Sequence, residues 1–325
     1  MKNQKSLQAG ALLLALGTFA PSLASAAIVG PYTADANTIY LYHFNEAAGG
    51  SIAANAGSAG FNAVSYLGSP YAGDGVAQSA LTTVLGAAGY TGFGNAANLS
   101  GANTHGLGVD INNDGAFTLD DNAPIGTDRL LDHASIFGGG NVFTFEALVN
   151  LPSITSGNRQ IISTDSSAAN TDRGIQFRVT GAGSLEFNFI GVNTSAVLAP
   201  IPITGDHAFV ANEWFHAALT YDGSNARFYW TRLADQFTEA NLIGGPTAEG
   251  VDVTDDAILV IGNEGRVVGA TGSTEGLVGL IDEVRISNIA RGAQDMMLVP
   301  EPATWTFALG GFAALLAVRR FRQPR

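Results

Sequence analysis

The chain has 325 residues, a net charge of −13 and no cysteine. An acidic chain repels nucleic acid and anionic lipid surfaces, so its charge argues against a nucleic-acid partner and favours neutral glycans or divalent cations. Because cysteine is absent, disulfides cannot support the fold, and the chain must bury enough apolar surface by itself. The 41 glycines and the small share of charged residues are typical of many strands joined by turns.

Residues 1–26 have the features of a secretory signal peptide. Two lysines precede an apolar stretch over residues 9–20. A cleavage site of small residues follows, marked by Ala24 and Ala26. The apolar stretch is shorter than the ~18 residues expected of a transmembrane helix, which argues against a retained N-terminal anchor. The sequence therefore predicts export, with a mature chain that begins near Ala27.

The next part of the chain gives a weak pattern. Residues 27–38 form a polar lead-in, and a compact apolar strand is predicted over residues 39–44. A loop rich in glycine, alanine, serine and asparagine follows over residues 47–58. About residues 59–140 contain no long alternating run, so we treat them as an insertion to which the pattern assigns no structure.

Residues 110–121 have the ligand spacing of a calcium loop. Oxygen-bearing side chains stand at loop positions 1, 3, 5, 9 and 12, and glycine at position 6 permits a sharp turn. The pattern resembles the calcium loops of dockerins and EF-hands, in which Ca²⁺ would be held here by Asp110, Asn112, Asp114 and Asp121. The alternative is a plain hairpin, because Asn-Asp-Gly is also a turn signal and no amphipathic helix flanks the loop.

From residue 141 onward, apolar and polar residues alternate with the period of two that half-buried strands show. The predicted strands cover residues 143–151, 175–179, 185–189, 217–221, 228–230, 258–261 and 280–286. No segment between the two ends has an apolar period of 3.6 over several turns, so we expect few helices. Strands at this spacing predict an all-β antiparallel sandwich or jelly roll.

Four short motifs carry a resemblance to a known fold family. They are YHFNE at residues 42–46, FTFEA at 143–147, EWFH at 213–216 and GLIDEVRI at 279–286. In this order they resemble the LamG-like, concanavalin A-like jelly roll, over about residues 39–291. The resemblance implies a β-sandwich over residues 39–298 that serves recognition.

The motifs also contain residues with a direct physical interpretation. We expect Trp214 to pack in a cleft between the sheets with its indole N–H bonded, and His216 to be a satisfied structural histidine. Asp282, Glu283 and Arg285 are expected to pin the final strand to its neighbours by hydrogen bonds. The alternative for these three residues is a share in a cation site at the rim.

Residues 299–325 have the features of a sorting signal. They begin with Val299, Pro300, Glu301 and Pro302, continue with an apolar segment over residues 303–318 and end with four arginines. This order resembles the PEP-CTERM signal, which in that family is recognised by an exosortase in the inner membrane of Gram-negative bacteria. The resemblance implies an intermediate held in that membrane by a helix over residues 303–318, and then delivery to the cell surface or extracellular matrix. The alternative is an ordinary single-pass anchor that is never cut.

Catalytic motifs are scarce in the sequence. No nucleophile elbow, His-Glu-x-x-His helix, cysteine nucleophile or phosphate-binding glycine loop is present. Glu146 has no acidic partner at positions 144 or 148, and Asp282 and Glu283 are adjacent, so strict alternation would point them to opposite faces. We therefore expect no enzyme.

Three functions remain open on the sequence alone. The first is an exported, non-enzymatic module for glycan or surface recognition, with a polysaccharide as its partner. The others are a glycan hydrolase and a structural component of the matrix or envelope without a defined ligand. Aromatic residues that could face a ligand include Tyr66, Tyr71, Tyr90 and Phe93, but the pattern selects no glycan-contacting residue.

Overall fold

The computed structural model describes residues 31–67, 81–101, 105–111, 113, 115, 141–164, 174–190, 195–197, 200–235, 237, 239–248, 259–263 and 275–296. The predicted signal peptide and the predicted sorting signal over residues 299–325 lie outside these residues. The same holds for Tyr71 and for three of the four predicted calcium ligands, Asn112, Asp114 and Asp121.

Within the described residues the chain forms two antiparallel sheets, here called sheet A and sheet B. Sheet A contains β1 (Thr38–Tyr42), β4 (Ala87–Ala88), β5 (Asn95–Asn98), β7 (Phe143–Asn150), β13 (Trp214–Tyr221), β14 (Asn225–Arg232), β15 (Leu242–Ala248) and β17 (Leu280–Ser287). Sheet B contains β2 (Ile52–Ala53), β3 (Asn62–Leu67), β6 (His105–Asp110), β8 (Arg159–Ser163), β9 (Gly174–Val179), β10 (Ser184–Ile190), β11 (Ser195–Val197), β12 (Ile201–Pro202) and β16 (Val260–Ile261). The helix α1 (Ala293–Met296) follows the last strand.

The order of the strands shows how distant parts of the chain meet. Sheet A runs β15-β14-β13-β7-β17-β5-β4, and β1 pairs with β17 beyond the point where β5 ends. Sheet B runs β11-β10-β9-β8-β16-β6-β3-β2, and β12 pairs with β10. The first and last strands of the domain are therefore neighbours in sheet A.

The predicted all-β antiparallel sandwich is confirmed. The segment to which the pattern assigned no structure supplies β3 and β6 to sheet B and β4 and β5 to sheet A. In the described parts of the chain the helical content is the four residues of α1. None of the helices described there is long and apolar enough to cross a membrane.

The main core lies between the two sheets and follows from the alternation along the strands. In β7, Phe143 and Phe145 point inward with the other odd-numbered residues and are fully buried. The ring of Phe143 lies 6.0 Å from Phe187, and the ring of Phe145 lies 6.3 Å from Phe177, which joins sheet A to sheet B. Burial of these rings supplies the apolar surface that a fold without disulfides needs.

The expectation for Trp214 is wrong. Trp214 is opposite Asn150 on the outer face of sheet A, where it is half-buried against a second apolar cluster. The tryptophan between the sheets is Trp230 of β14, whose ring centroid lies 4.8 Å from that of Phe215. The motif does not show which of the alternating residues face the core. In β13 the even-numbered residues, including Trp214, face outward.

The expectation that Asp282 and Glu283 point to opposite faces is also wrong. Between Asp282, opposite Leu148, and Arg285, opposite Glu146, β17 has one residue more than β7. This bulge places Glu283 at φ +49° and lets its N–H bond to the Asp282 carboxylate at 2.8 Å. Both carboxyl groups therefore lie on the outer side of sheet A, next to each other.

Candidate functional site

Each of the four sequence motifs contributes at least one charged or titratable residue to a network on the outer face of sheet A. Arg285 donates to Glu146 twice, from Nε to Oε2 at 2.7 Å and from Nη2 to Oε1 at 2.9 Å. His216 Nε2 lies 3.4 Å from Glu146 Oε1, and Arg291 Nε lies 3.8 Å from Glu146 Oε2. Burial alone would raise the pKa of Glu146, but Arg285 and His216 together hold it below its usual range.

A second carboxylate extends this network toward the N-terminal segment. Glu283 accepts the backbone N–H of Tyr32 at 2.7 Å, and its Oε1 lies 2.8 Å from His43 Nδ1. The hydrogen bond with Glu283 raises the pKa of His43. The Tyr32 ring covers Arg285, with the guanidinium carbon 4.3 Å from the ring centroid.

Asp282 is the unusual member of the group. Burial, together with the charge of Glu283, raises its pKa to about 9. Its Oδ2 is buried and has no hydrogen-bond partner among the described residues. A neutral carboxyl group is therefore the form that this position stabilises near neutral pH.

The network is closed off from solvent by both ends of the described domain. Tyr32 covers it from the N-terminal side, and Arg291 bonds to Asp35 at 2.8 Å. From the C-terminal side, Met296 O accepts a hydrogen bond from Arg285 Nη2 at 2.9 Å. These contacts fasten both ends of the described domain onto sheet A, which is a structural role.

An open groove lies beside this network, at the end of β14 and the start of β15. We call it the edge groove. Its volume is about 490 Å³, and it is lined by His207, Tyr229, Phe237, Glu239, Ala240, Asn241, Leu242 and Ala293. A smaller cavity of about 280 Å³ adjoins it and shares His207, Asn241 and Leu242. This size is within the range of ligand pockets in proteins.

Hydrogen bonds hold the walls of the edge groove. Asn241 donates its backbone N–H to Thr231 Oγ1 at 2.8 Å and its side-chain nitrogen to Trp230 O at 3.1 Å. The N–H of Ala240 bonds to Ala293 O at 3.0 Å, which ties this wall to α1.

His207 stands where the two cavities meet. Its Nδ1 accepts the backbone N–H of Arg232 at 3.2 Å. The same Nδ1 lies 3.2 Å from Asp235 Oδ2. Tyr229 forms the aromatic part of the wall, and burial raises the pKa of its hydroxyl group.

The site residues predicted from the sequence do not come together in one place among the described residues. Asp110 is buried, and its Oδ2 accepts the N–H of Gly115 at 2.8 Å, which shows a tight turn at the start of the predicted calcium loop. Tyr66 and Phe93 are buried, so they are not surface aromatics, whereas Tyr90 is half-buried and donates its hydroxyl to Leu233 O at 3.2 Å. The described part of the chain contains no group of three or more metal-ligating side chains. The sequence pattern did not identify the edge groove, because its walls come from four separate segments.

The family model described as "Concanavalin A-like lectin/glucanases superfamily" matches residues 126–296, which is more than half of the chain. A search of curated proteins found no match.

Three solved structures are among those that show similarity to this chain. Trypanosoma rangeli sialidase in complex with 2,3-difluorosialic acid is 12% identical, with a TM-score of 0.43 over 81% of this chain and 32% of the sialidase. The botulinum neurotoxin serotype D binding domain is 14% identical, with a TM-score of 0.44 over 81% of this chain and 51% of that chain. Domain 4 of a GH43 extracellular arabinanase from Geobacillus stearothermophilus, in complex with arabinotriose, is 14% identical, with a TM-score of 0.42 over 80% of this chain and 98% of that domain. This chain thus spans about a third of the length of the sialidase, and TM-scores this low carry no functional assignment.

Proposed function

The chain belongs to the concanavalin A-like lectin/glucanases superfamily, and on that premise we propose that it is an exported, non-enzymatic module that recognises a glycan or another surface component. The observation that carries this proposal is the edge groove. It combines an aromatic wall with hydrogen-bonding side chains from two loops. That combination suits a sugar, which offers an apolar ring face and many hydroxyl groups.

The charge of the chain limits which class of glycan it could bind. Between the two terminal signals, nine arginines stand against 28 acidic residues, counting Glu301, which gives a net charge of about −19. Glu239 and Asp206 add negative charge to the edge groove itself. A neutral glycan fits such a surface better than an anionic one, because like charges repel.

A glycan hydrolase is the competing function. The bulge brings Asp282 and Glu283 to one face of sheet A, and burial raises the pKa of Asp282. Paired carboxyl groups with different protonation states are typical of acid–base catalysis. Against it, both side chains are fully buried, and Glu283 is already bonded to Tyr32 and His43. A substrate would have no access to the pair.

A structural component of the matrix or envelope, without a defined ligand, is the third possible function. A chain that binds no glycan would favour it.

Binding to a glycan array, compared between the wild type and Asn241→Ala, tests recognition at the edge groove. We expect the substitution to weaken binding about tenfold, equivalent to about 1.4 kcal/mol, because it removes a hydrogen-bonding amide side chain from the wall. Asn141→Ala is the matched control and should bind as the wild type does, because Asn141 is exposed just before β7 and does not line the groove. Equal binding by Asn241→Ala and the wild type would contradict the role of the groove. Release of reducing ends from the same glycans would favour the hydrolase.

The location of the protein is a further part of the proposal. The signal peptide over residues 1–26 and the PEP-CTERM-like residues 299–325 support export, an inner-membrane intermediate and processing by an exosortase-type enzyme. Delivery to the cell surface or extracellular matrix follows from this route. Mass spectrometry of the mature C-terminus from the native host tests it: a terminus near Pro300 supports sorting, whereas an intact Arg325 supports a plain anchor.

A further inference from the structure

The ring of His207 lies between a hydrogen-bond donor and an acceptor that compete for the same nitrogen atom. Its Nδ1 lies 3.2 Å from the backbone nitrogen of Arg232 and 3.2 Å from Asp235 Oδ2. A ring nitrogen without a proton accepts a hydrogen bond, whereas a ring nitrogen with a proton donates one. Nδ1 therefore bonds to one of these two neighbours at a time, and its proton decides which.

The orientation of the ring satisfies the backbone and leaves the carboxylate without a donor. The N–H of Arg232 is directed at Nδ1, whereas Asp235 Oδ2 is buried and has no hydrogen-bond partner among the described residues. A buried acceptor without a donor costs about 1–3 kcal/mol. A protonated imidazole carries a proton on both nitrogens, so its Nδ1–H would donate to Asp235 in a charge-assisted hydrogen bond.

The groups around His207 are mostly acidic. Asp206 lines the smaller cavity together with His207, and Glu239 lines the edge groove with it. Asp235 adds a third carboxylate at 3.2 Å. Tyr229, the other titratable group of this wall, stays neutral because burial raises the pKa of its hydroxyl group. A positively charged ring is therefore compatible with its surroundings.

A proton on the ring would complete a chain of alternating charges. Arg232 donates from Nη2 to Glu213 Oε1 at 2.8 Å and from Nε to Glu213 Oε2, and its Nη1 lies 3.8 Å from Asp235 Oδ1. With a protonated His207, the order is His207, Asp235, Arg232 and Glu213, and the sign of the charge changes at each step. His207 and Glu213 belong to the loop over residues 203–213, whereas Arg232 and Asp235 belong to the end of β14 and the turn after it.

The loop over residues 203–213, here called the wall loop, has little burial to hold it in place. Most of its residues are exposed, and it supplies part of the wall of both cavities. Two of its backbone amides are hydrogen-bonded: Ala208 donates to Gly205 O at 3.0 Å, and Asn212 donates to Leu151 O at 2.9 Å. A segment with few buried contacts opens easily, so one added ion pair has a measurable effect on it.

From this geometry we infer that His207 is a proton switch at the edge groove. Acidification moves Nδ1 from the N–H of Arg232 to the carboxylate of Asp235 and clamps the wall loop to the end of β14. Histidine is the residue type whose charge ordinarily changes between about pH 8 and about pH 5. The wall of the groove is thus more ordered in acid. The switch does not depend on the function proposed for the groove, because its ligand is the proton.

Hydrogen exchange of single amides, followed by NMR on the purified full-length protein at about pH 8 and about pH 5, tests the switch. Each rate is divided by the rate of an unstructured peptide at the same pH, which gives a protection factor. On acidification we expect the protection of Ala208 and Asn212 to rise about tenfold, because a hydrogen bond to a charged group is gained. The protection of the Arg232 amide should fall, because this amide loses its acceptor. A general effect of pH on stability would move all three amides in the same direction.

Three variants separate the switch from other effects of pH. His207→Asn places an amide near the position of Nδ1 but takes up no proton, so both responses should disappear. Asp235→Asn removes the charged partner, so the rise in the wall loop should disappear. His105→Asn is the matched control, because His105 lies in β6 of sheet B and does not line the groove. This variant should respond as the wild type does.

Thermal unfolding establishes that each variant is folded. The inference is overturned if the wall loop of the wild type is equally protected at both pH values, or if a folded His207→Asn keeps the wild-type response. If His207→Asn does not fold, the ¹⁵N chemical shift of Nδ1 in the wild type decides, and an Nδ1 without a proton at about pH 5 overturns the inference. No glycan is present in these measurements, so their outcome is separate from the outcome of the glycan array.

Discussion

Arg285 holds the carboxylate of Glu146 at two points, with Nε 2.7 Å from Oε2 and Nη2 2.9 Å from Oε1. Both side chains are buried. Arg285 lies in β17 and Glu146 in β7, and the two residues are 139 positions apart in the sequence. The pair therefore joins the two central strands of sheet A and receives both ends of the domain, through Tyr32 and Met296.

Removal of Arg285 should destabilise the protein strongly. Arg285→Met leaves the Glu146 carboxylate buried without its main partner, which typically costs about 3–5 kcal/mol. Arg227→Met is the matched control, because Arg227 pairs with Asp222 on the surface and such pairs contribute about 0–1 kcal/mol. Urea unfolding measures both values, and equal losses in the two variants would contradict the special role of the buried pair.

Asp282 should make stability depend on pH. Its folded pKa of about 9 exceeds the ordinary value of 3.8, so the folded state binds more protons between these values. The favourable contribution is complete below about pH 4 and is lost as the pH rises toward 9. Asp282→Asn cannot ionise, so we expect the variant to gain more than about 1.4 kcal/mol relative to the wild type between pH 4 and pH 8.

Denaturant unfolding at these two pH values is the measurement. The quantity compared is the change in unfolding free energy between the two pH values, in the wild type and in Asp282→Asn. Any effect of the asparagine that does not depend on pH cancels in this comparison. A parallel pH dependence in the wild type and the variant would show that Asp282 does not titrate as proposed.

The two tryptophans should differ in their contribution to stability. Trp230 is 1% exposed between the sheets, so Trp230→Ala opens a cavity and should cost about 3–5 kcal/mol. Trp214 lies half-buried on the outer face, so Trp214→Ala should cost clearly less. Thermal and urea unfolding measure both variants, and the reverse order would contradict the assignment of the two faces.

Calcium binding by the loop over residues 110–121 stays a prediction. Asp110 and Gly115 form the tight turn that such a loop needs, because Asp110 Oδ2 accepts the N–H of Gly115. We expect heat of Ca²⁺ binding in calorimetry of the wild type and its loss in Asp114→Ala. Asp206→Ala, outside this loop, is the control and should bind as the wild type does. Absence of heat in the wild type would leave the loop as a plain turn.

Part of the fold could be predicted from local pattern. The alternation from residue 143 to residue 149 indicated β7 and which of its side chains share a face, because the side-chain period of a strand is two residues. The same reasoning failed at Asp282 and Glu283, since one extra residue in β17 breaks the period. It also failed at Trp214, since alternation does not say which face is covered.

The sequence by itself determined the strand-rich character of the domain, its acidic surface and the terminal signals that predict export, because these depend on composition and on neighbouring residues. Only the tertiary structure decided which polar groups meet. Arg178 and Glu275 are 97 residues apart along the chain, and their contact depends on how the strands of sheet B are ordered. The edge groove arises in the same way, because it takes its side chains from segments that only folding brings together.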